Sequence, residues 1–315
     1  MRVLLAGGAG FVGSHFVHHL LETTDGELTV LDNFSSGTRW RLPPSSRLAI
    51  VEGNLQDLPA TERAVAGHDL VYQLASNPDI ARAVTEPEID FWQGTYLTQN
   101  LLEAMRRSGV GRLVYASGSG IYGDAGSSPV AEDYAPLQPI STYGASKLAC
   151  EALISAYSAM FGLQAWVFRF ANVIGPRQTH GVGYDFVRKL RRDPSRLEIL
   201  GDGHQSKSYI HVDDIVAAIE HVTARVDTPY SVFNVATDDY LTVHEIAEIA
   251  VEELGLRDVD FVFTGGDRGW KGDVPVVRFD VAKIHALGWR AARSSHEAMR
   301  ASIRSLIEDL DEHGD

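Results

Sequence analysis

The sequence predicts an α/β fold, a doubly wound parallel sheet with a smaller C-terminal α/β lobe. Three observations carry this expectation. Arg2–Ala6 reads as a short buried strand, Gly7-Gly8-Ala9-Gly10-Phe11-Val12-Gly13 as a tight turn, and residues 14–22 as a helix. Strand-like apolar runs then alternate with helix-period runs as far as Arg169, the pattern of βαβ units. Beyond Arg169 the rhythm changes to stretches rich in Gly, Asn and Asp. Residues 1–169 are therefore assigned to the main domain, joined by a returning segment near 212–236, and residues 170–315 mainly to the lobe.

The elements follow in order. Glycines let the backbone turn tightly and approach a pyrophosphate, whose charge is met by the amides and dipole of the following helix N-terminus. The stretch fits GxGxxG from Gly8 and GxxGxxG from Gly7 equally well. A second strand, 27–31, ends at Asp32, about twenty residues after the glycines, where a carboxylate hydrogen-bonds ribose hydroxyls. The same carboxylate repels a 2′-phosphate, so NAD is favoured over NADP. Further strands are expected at Leu48–Glu52, 69–74, 112–116 and 164–169, with helices at 98–108 and 148–161. In such a Rossmann-type sheet the ligand lies beyond the carboxyl ends of the strands, here near Gly7, Asp32, Leu74 and Ser117. Later helices at 212–225 and 242–254 flank a last strand at 231–235.

Tyr143-Gly144-Ala145-Ser146-Lys147 places a phenol and an ammonium on one helical face. A tyrosine is a poor base at neutral pH, and each unit of pKa depression needs roughly 1.4 kcal/mol of preference for phenolate. A lysine one turn away supplies part of it, and a cationic cofactor ring supplies more. Pro139, Ser141 and Thr142 mark the helix start.

Composition narrows the partners. The formal charge of −14 over 315 residues argues against a nucleic-acid or anionic-membrane partner. One cysteine, Cys150, permits neither an intramolecular disulfide nor a cysteine-based zinc site, and makes a cytoplasmic location the expectation. Met1-Arg2-Val3-Leu4-Leu5 begins like a signal peptide, but Gly7, Gly8, Gly10 and Gly13 interrupt its apolar core, so residue 1 is taken as the start of the fold. No metal is expected: His15, His18 and His19 read as a solvated helix face. The basic cluster from Arg188 to Arg196 reads as a solvated helix end, and residues 308–315 as a fraying acidic tail.

Taken together, GGAGFVGSH, LDNFSSG, IYGD, STYGASK, ANVIGPR, GDGHQSKSYIHVDD and Arg268-Gly269-Trp270-Lys271-Gly272-Asp273 run in family order along nearly the whole chain. The chain resembles the extended short-chain dehydrogenase/reductases, and within them the NAD-dependent nucleotide-sugar epimerase/dehydratase group typified by UDP-glucose 4-epimerase. The resemblance implies a tightly held NAD contacted by Gly7, Gly10, Phe11, Val12, Gly13, Asp32, Asn33, Asn54, Leu55, Leu74 and Ala75. It implies Tyr143 as base, Lys147 as the group that binds the nicotinamide ribose and lowers the tyrosine's pKa, and a homodimer built on paired helices. A nucleoside-diphosphate sugar, UDP-linked, would be held by the lobe, with Asn172, Lys207 and Arg268 on its diphosphate. The reaction so implied is inversion at C4 of the sugar through a transient 4-keto intermediate.

The chain departs from its family at several positions. Gly118 stands where a Ser or Thr usually shares the reacting hydroxyl, leaving Ser117 and Ser119 as candidates, with Ser117 preferred. Gln73 replaces a frequent His, Asn54 an Asp, Gly94 an Asn, and Lys207 an Arg. Related dehydratases and decarboxylases carry an acidic residue just after the Ser or Thr, whereas Ser119-Gly120-Ile121 has none. That absence favours the simpler oxidation-and-return cycle of the 4-epimerases that the chain resembles. The alternatives are another nucleotide-sugar oxidoreductase such as a 4-ketoreductase, or a non-catalytic dinucleotide-binding protein. Trp270 and Tyr184 are candidates to line the sugar or base pocket.

Overall fold

Val3, Leu4, Leu5 and Ala6 are almost wholly buried, and the strand they form is central to a seven-stranded sheet. The computed structural model describes residues 1–269 and 272–313. Its first half comprises Arg2–Ala6 (β1), Phe11–Thr23 (α1), Glu27–Asp32 (β2), Leu48–Glu52 (β3), Leu58–Val65 (α2), Leu70–Gln73 (β4), Leu97–Ser108 (α3), Arg112–Gly118 (β5), Thr142–Phe161 (α4) and Gln164–Phe170 (β6). There follow Asn172–Ile174 (β7), Val182–Arg192 (α5), Arg196–Ile199 (β8), Ser206–Lys207 (β9), Tyr209–His211 (β10), Val212–Thr223 (α6) and Tyr230–Val235 (β11). Leu241–Thr242 (β12), Val243–Glu253 (α7), Asp260–Phe263 (β13), Ala282–Ala286 (α8) and Ser295–His313 (α9) complete the chain.

The sheet order is β3-β2-β1-β4-β5-β6-β11. Ala6 pairs with Leu31 on one side and Gln73 on the other, both in parallel register. The order reverses between β1 and β4, so the crevice beyond these two carboxyl ends is the place where such sheets bind ligands.

Two compact units emerge. One contains Met1–Gly123, Ala135–Arg169 and Ile219–Phe233; the other contains Asp124–Tyr134, Phe170–Ala218 and Asn234–Asp315. In the first, Leu101, Met105, Leu113, Tyr115, Cys150, Ile154 and Val167 form one buried cluster between helices and sheet. In the second, Phe186, Leu190, Leu197, Ile246, Met299 and Ile303 form another, and Tyr184 packs against it.

The strands of the central sheet lie where the apolar runs place them; α1, α3 and α4 start earlier than their apolar series suggests, whereas α6 starts at the expected residue and α7 one residue later. The helix α4 begins at Thr142 because the Ser141 hydroxyl accepts the Gly144 amide and caps it. A π-helical turn, Phe91–Tyr96, leads into α3, and a 3₁₀ turn, Ser119–Tyr122, follows β5. The acidic C-terminal segment corrects its sequence expectation. Through residue 313 it is the end of α9, where Leu310 is buried and the Asp309 carboxylate accepts the Arg177 amide at 2.6 Å. No helix among the described residues is long and apolar enough to cross a membrane.

Candidate active site

The turn after β1 is built by close contacts that only glycine permits. A Cβ on Gly7, at φ +79°, would lie 2.6 Å from the Ala75 amide nitrogen, at the mouth of the crevice between β1 and β4. A Cβ on Gly13 would lie 2.3 Å from the Gly7 carbonyl oxygen, so α1 is seated directly on the turn. Gly10 caps α1 with no side chain, and no acidic residue stands in its first turn, which carries Phe11 and Val12. The first amides of a helix have no intrahelical partner, so this end is open to an anion.

At the end of β2 the Asp32 carboxylate is fixed by two amides. Oδ2 accepts from Ala9 and Oδ1 from Phe34, both at 2.9 Å. Asn33 is exposed and its side-chain oxygen accepts both the amide and the hydroxyl of Ser35. Beyond β3, exposed Asn54 accepts the Gln56 amide, and Leu55 is buried. Beyond β4, Leu74 and Ala75 are half-buried, and Gln73 is satisfied locally, donating to the Ala75 carbonyl and to Thr98.

The Lys147 ammonium is buried, 5.5 Å from the ring centre of Tyr143 and 5.2 Å from that of Tyr115, and donates to the Ala116 carbonyl at 2.7 Å. Burial pushes the Tyr115 phenol well above its ordinary value, so Tyr115 offers Lys147 a neutral ring and no competing anion. Tyr143 is half-buried, and among the described residues nothing hydrogen-bonds its oxygen.

The two candidate serines fare differently. Ser117 is buried and its hydroxyl donates to Glu151, whose carboxylate forms a buried pair with Arg169 at 2.8 Å. Arg169 also donates to the Tyr122 hydroxyl at 2.9 Å. Ser119 opens the 3₁₀ turn half-buried, and its hydroxyl has no hydrogen-bond partner among the described residues. Gly120 presses this turn onto α4: a Cβ there would lie 3.3 Å from the Gly144 Cα and 3.8 Å from the Tyr143 ring. Gly94 has a similar cause, since a Cβ would meet the Ser146 hydroxyl at 2.2 Å.

In the second unit, Lys207 pairs with the buried Asp273 at 2.5 Å, and Arg268 donates to the Asp273 carbonyl and to the Asp124 carboxylate. Both cations thus meet at Asp273. The Asn172 side chain donates instead to the Ser208 carbonyl at 3.2 Å. Trp270 lies outside the described residues. Arg278, which spacing did not single out, borders β9 through Ser206 and stacks 3.8 Å over Tyr240. His15 corrects the expected solvated face, being buried with its ring edge-on to Phe11 at 5.6 Å; His18 and His19 are engaged with the Arg41 carbonyl and Glu220, and no metal-holding cluster occurs among the described residues.

Comparison with known proteins decides the family. The family model described as "NAD dependent epimerase/dehydratase family" matches residues 3–236. The chain belongs to that family. A crystal structure of a UDP-galactose 4-epimerase is 38% identical with a TM-score of 0.89, covering 98% of this chain and 100% of that one. A putative UDP-glucose 4-epimerase of Methanocaldococcus jannaschii is 30% identical over 307 residues, covering 96% of this chain and 97% of its own. The dTDP-glucose 4,6-dehydratase of Streptomyces venezuelae, solved with NAD bound, is 30% identical with a TM-score of 0.90 and covers 99% and 98%.

The epimerase/dehydratase family is NAD dependent, and the structure fits that cofactor. The glycine cradle that a Cβ would fill and the open helix end suit a pyrophosphate, while the fixed Asp32 carboxylate suits a free ribose diol. Asp90, Glu151 and Arg169 lie around the dyad without having been found by motif. Their partners stand 52, 34 and 18 residues away, distances over which spacing carries no signal.

Proposed function

We propose that the protein inverts C4 of a nucleoside-diphosphate sugar of the UDP-glucose/UDP-galactose type through a transient 4-keto sugar. The observation carrying this reading is a Tyr143–Lys147 pair beside a turn, Ser119-Gly120-Ile121, that contains no carboxyl. Elimination or decarboxylation needs a further acid or base at the sugar, whereas oxidation and return need only one base. Glu151, the nearby buried carboxylate, is already committed to Arg169 and Ser117.

In this reading the Tyr143 oxygen takes the proton from the sugar O4, and the Lys147 ammonium stabilises the phenolate. When bound, NAD would supply the acceptor for the C4 hydride and the donor of a hydride to the opposite face of the 4-keto sugar. The Ser119 hydroxyl shares O4 with the tyrosine, and Lys147 is held in place by the Ala116 carbonyl. Asn172, Lys207 and Arg268 contact the diphosphate, with Asp273 and Asp124 setting the two cations. A homodimer belongs to the same reading, supported by exposed Met160 and Phe161 at the end of α4. A cytoplasmic setting is supported by the single buried thiol.

The test is to denature the purified protein, identify the released dinucleotide, and follow fresh enzyme with UDP-, dTDP-, GDP- and CDP-sugars by NMR. Reversible C4 inversion without added nicotinamide is the expected result. A 4-keto-6-deoxy product, a stoichiometric change in nicotinamide absorbance, or an inert panel would each overturn it in favour of a dehydratase, a net oxidoreductase or a binding protein.

A further inference from the structure

Asp90 is 2% exposed, and no lysine or arginine touches its carboxylate among the described residues. Its Oδ1 accepts from the Asn77 amide at 2.9 Å and its Oδ2 from the Thr142 hydroxyl at 2.7 Å. Its main-chain carbonyl accepts the Ser146 hydroxyl at 2.7 Å, and Ser146 also bonds Thr95 at 2.9 Å. The positions of these donors matter. Thr142 immediately precedes Tyr143, and Ser146 immediately precedes Lys147. Asn77 lies on the loop leaving β4, just past Leu74 and Ala75, and is clamped to both main-chain groups of Asp79.

A buried carboxylate without a cation is costly, and a neutral side chain would fill the space at lower cost. Two features offset the cost here: charge-assisted hydrogen bonds, and a place at the N-terminal, positive end of the 20-residue α4. The Thr142 bond and the helix-end field exist only because the carboxylate meets the first turn of that helix, and the Asn77 bond ties the same carboxylate to the loop after β4. The grip is double, since one residue holds α4 through the neighbours of both members of the dyad.

We propose that Asp90 is a positioning residue that fixes the first turn of α4, and with it the Tyr143 oxygen and the Lys147 ammonium, against the cofactor-side loop after β4. The inference rests on the proposed function for its kinetic consequence and on geometry alone for its structural one. A displacement of about 1 Å in a reacting group costs on the order of 100-fold in rate.

The variants are Asp90→Ala, Thr142→Val, their combination, and Thr142→Ser, which keeps the hydroxyl. Amide hydrogen exchange by mass spectrometry is read on peptides covering residues 142–150, β1 and α9, alongside kcat and KM with UDP-galactose. Asp90→Ala and Thr142→Val are each expected to speed exchange in residues 142–150 by at least about tenfold and leave β1 and α9 unchanged. Each should lower kcat by about 10- to 100-fold with KM within about threefold, the double variant being no worse than the worse single one. Thr142→Ser should stay within about threefold of the parent. Exchange at the parental rate in residues 142–150, exchange rising equally in β1 and α9, or additive losses in kcat would overturn the proposal. If the parent turns over no UDP-galactose, the proposed function fails while the exchange data still decide the role of Asp90. Should Asp90→Ala not fold, Thr142→Val carries the same test.

Discussion

At the scale of single residues, the dyad and Asp32 were legible because their meaning lies in local spacing: one helical turn, or one strand after a glycine turn. The choice between Ser117 and Ser119 was not. It depends on where β5 ends and the 3₁₀ turn begins, and that boundary turns one hydroxyl toward Glu151 and leaves the next without a partner. The preference for Ser117 therefore passes to Ser119 in the proposed mechanism. Ser119→Ala is expected to lower kcat by about 10- to 100-fold with little loss of stability. Ser117→Ala should leave chemistry within a few-fold but destabilise the fold by about 1–3 kcal/mol, because Glu151 loses a buried donor. NMR turnover and thermal melting on the same preparations check both, and exchanged outcomes would reverse the assignment.

At the scale of elements, the strands of the central sheet could be read from apolar runs: β1 and β4 are buried parallel strands, apolar on both faces, and β3 is still an apolar run although it lies largely exposed at the sheet edge. Helix starts were less legible, because caps and turns act before the apolar period begins. The π-helical turn at Phe91–Tyr96 was invisible for the same reason: its shape answers to Ser146 and Asp90, more than fifty residues away in the one case and adjacent in the other. The glycine turn belongs to this scale as well. Gly7→Ala places a Cβ 2.6 Å from the Ala75 amide at a positive φ, so β1 and β4 must part at their carboxyl ends. The protein is expected to purify with less than about a tenth of the parental NAD, measured as dinucleotide released on denaturation.

At the scale of the whole molecule, surface ion pairs tie helices within each unit. Bonds from Arg106 and Arg107 hold the Glu103 carboxyl down to about 2, and Arg107 reaches on to Glu62 of α2. Bonds from Arg304 and Arg300 of α9 hold Glu253 of α7 below the usual carboxylate range. A carboxyl whose pKa is depressed on folding stabilises the protein above its ordinary value and loses that contribution as pH falls toward the folded one. The melting temperature is therefore expected to fall between about pH 4.5 and pH 2, and Glu103→Gln should flatten part of that slope. Each exposed pair is worth about 1 kcal/mol or less, so the effect amounts to a few degrees. Differential scanning calorimetry across that range checks it.

The place of β11 has a consequence for how the chain is made. Residues 165 and 171 pair with Pro229 and Val235, and the Trp166 indole donates to the Val226 carbonyl. A ribosome must therefore add about sixty more residues after β6 before that strand finds its neighbour, a delay of about 3–12 s at ordinary elongation rates. Throughout it, the nascent polypeptide presents an unpaired border carrying Trp166 and Phe168, the kind of surface that chaperones retain and that stray strands join. Gene fusions or fragments that stop short of residue 235 inherit the same exposed border permanently.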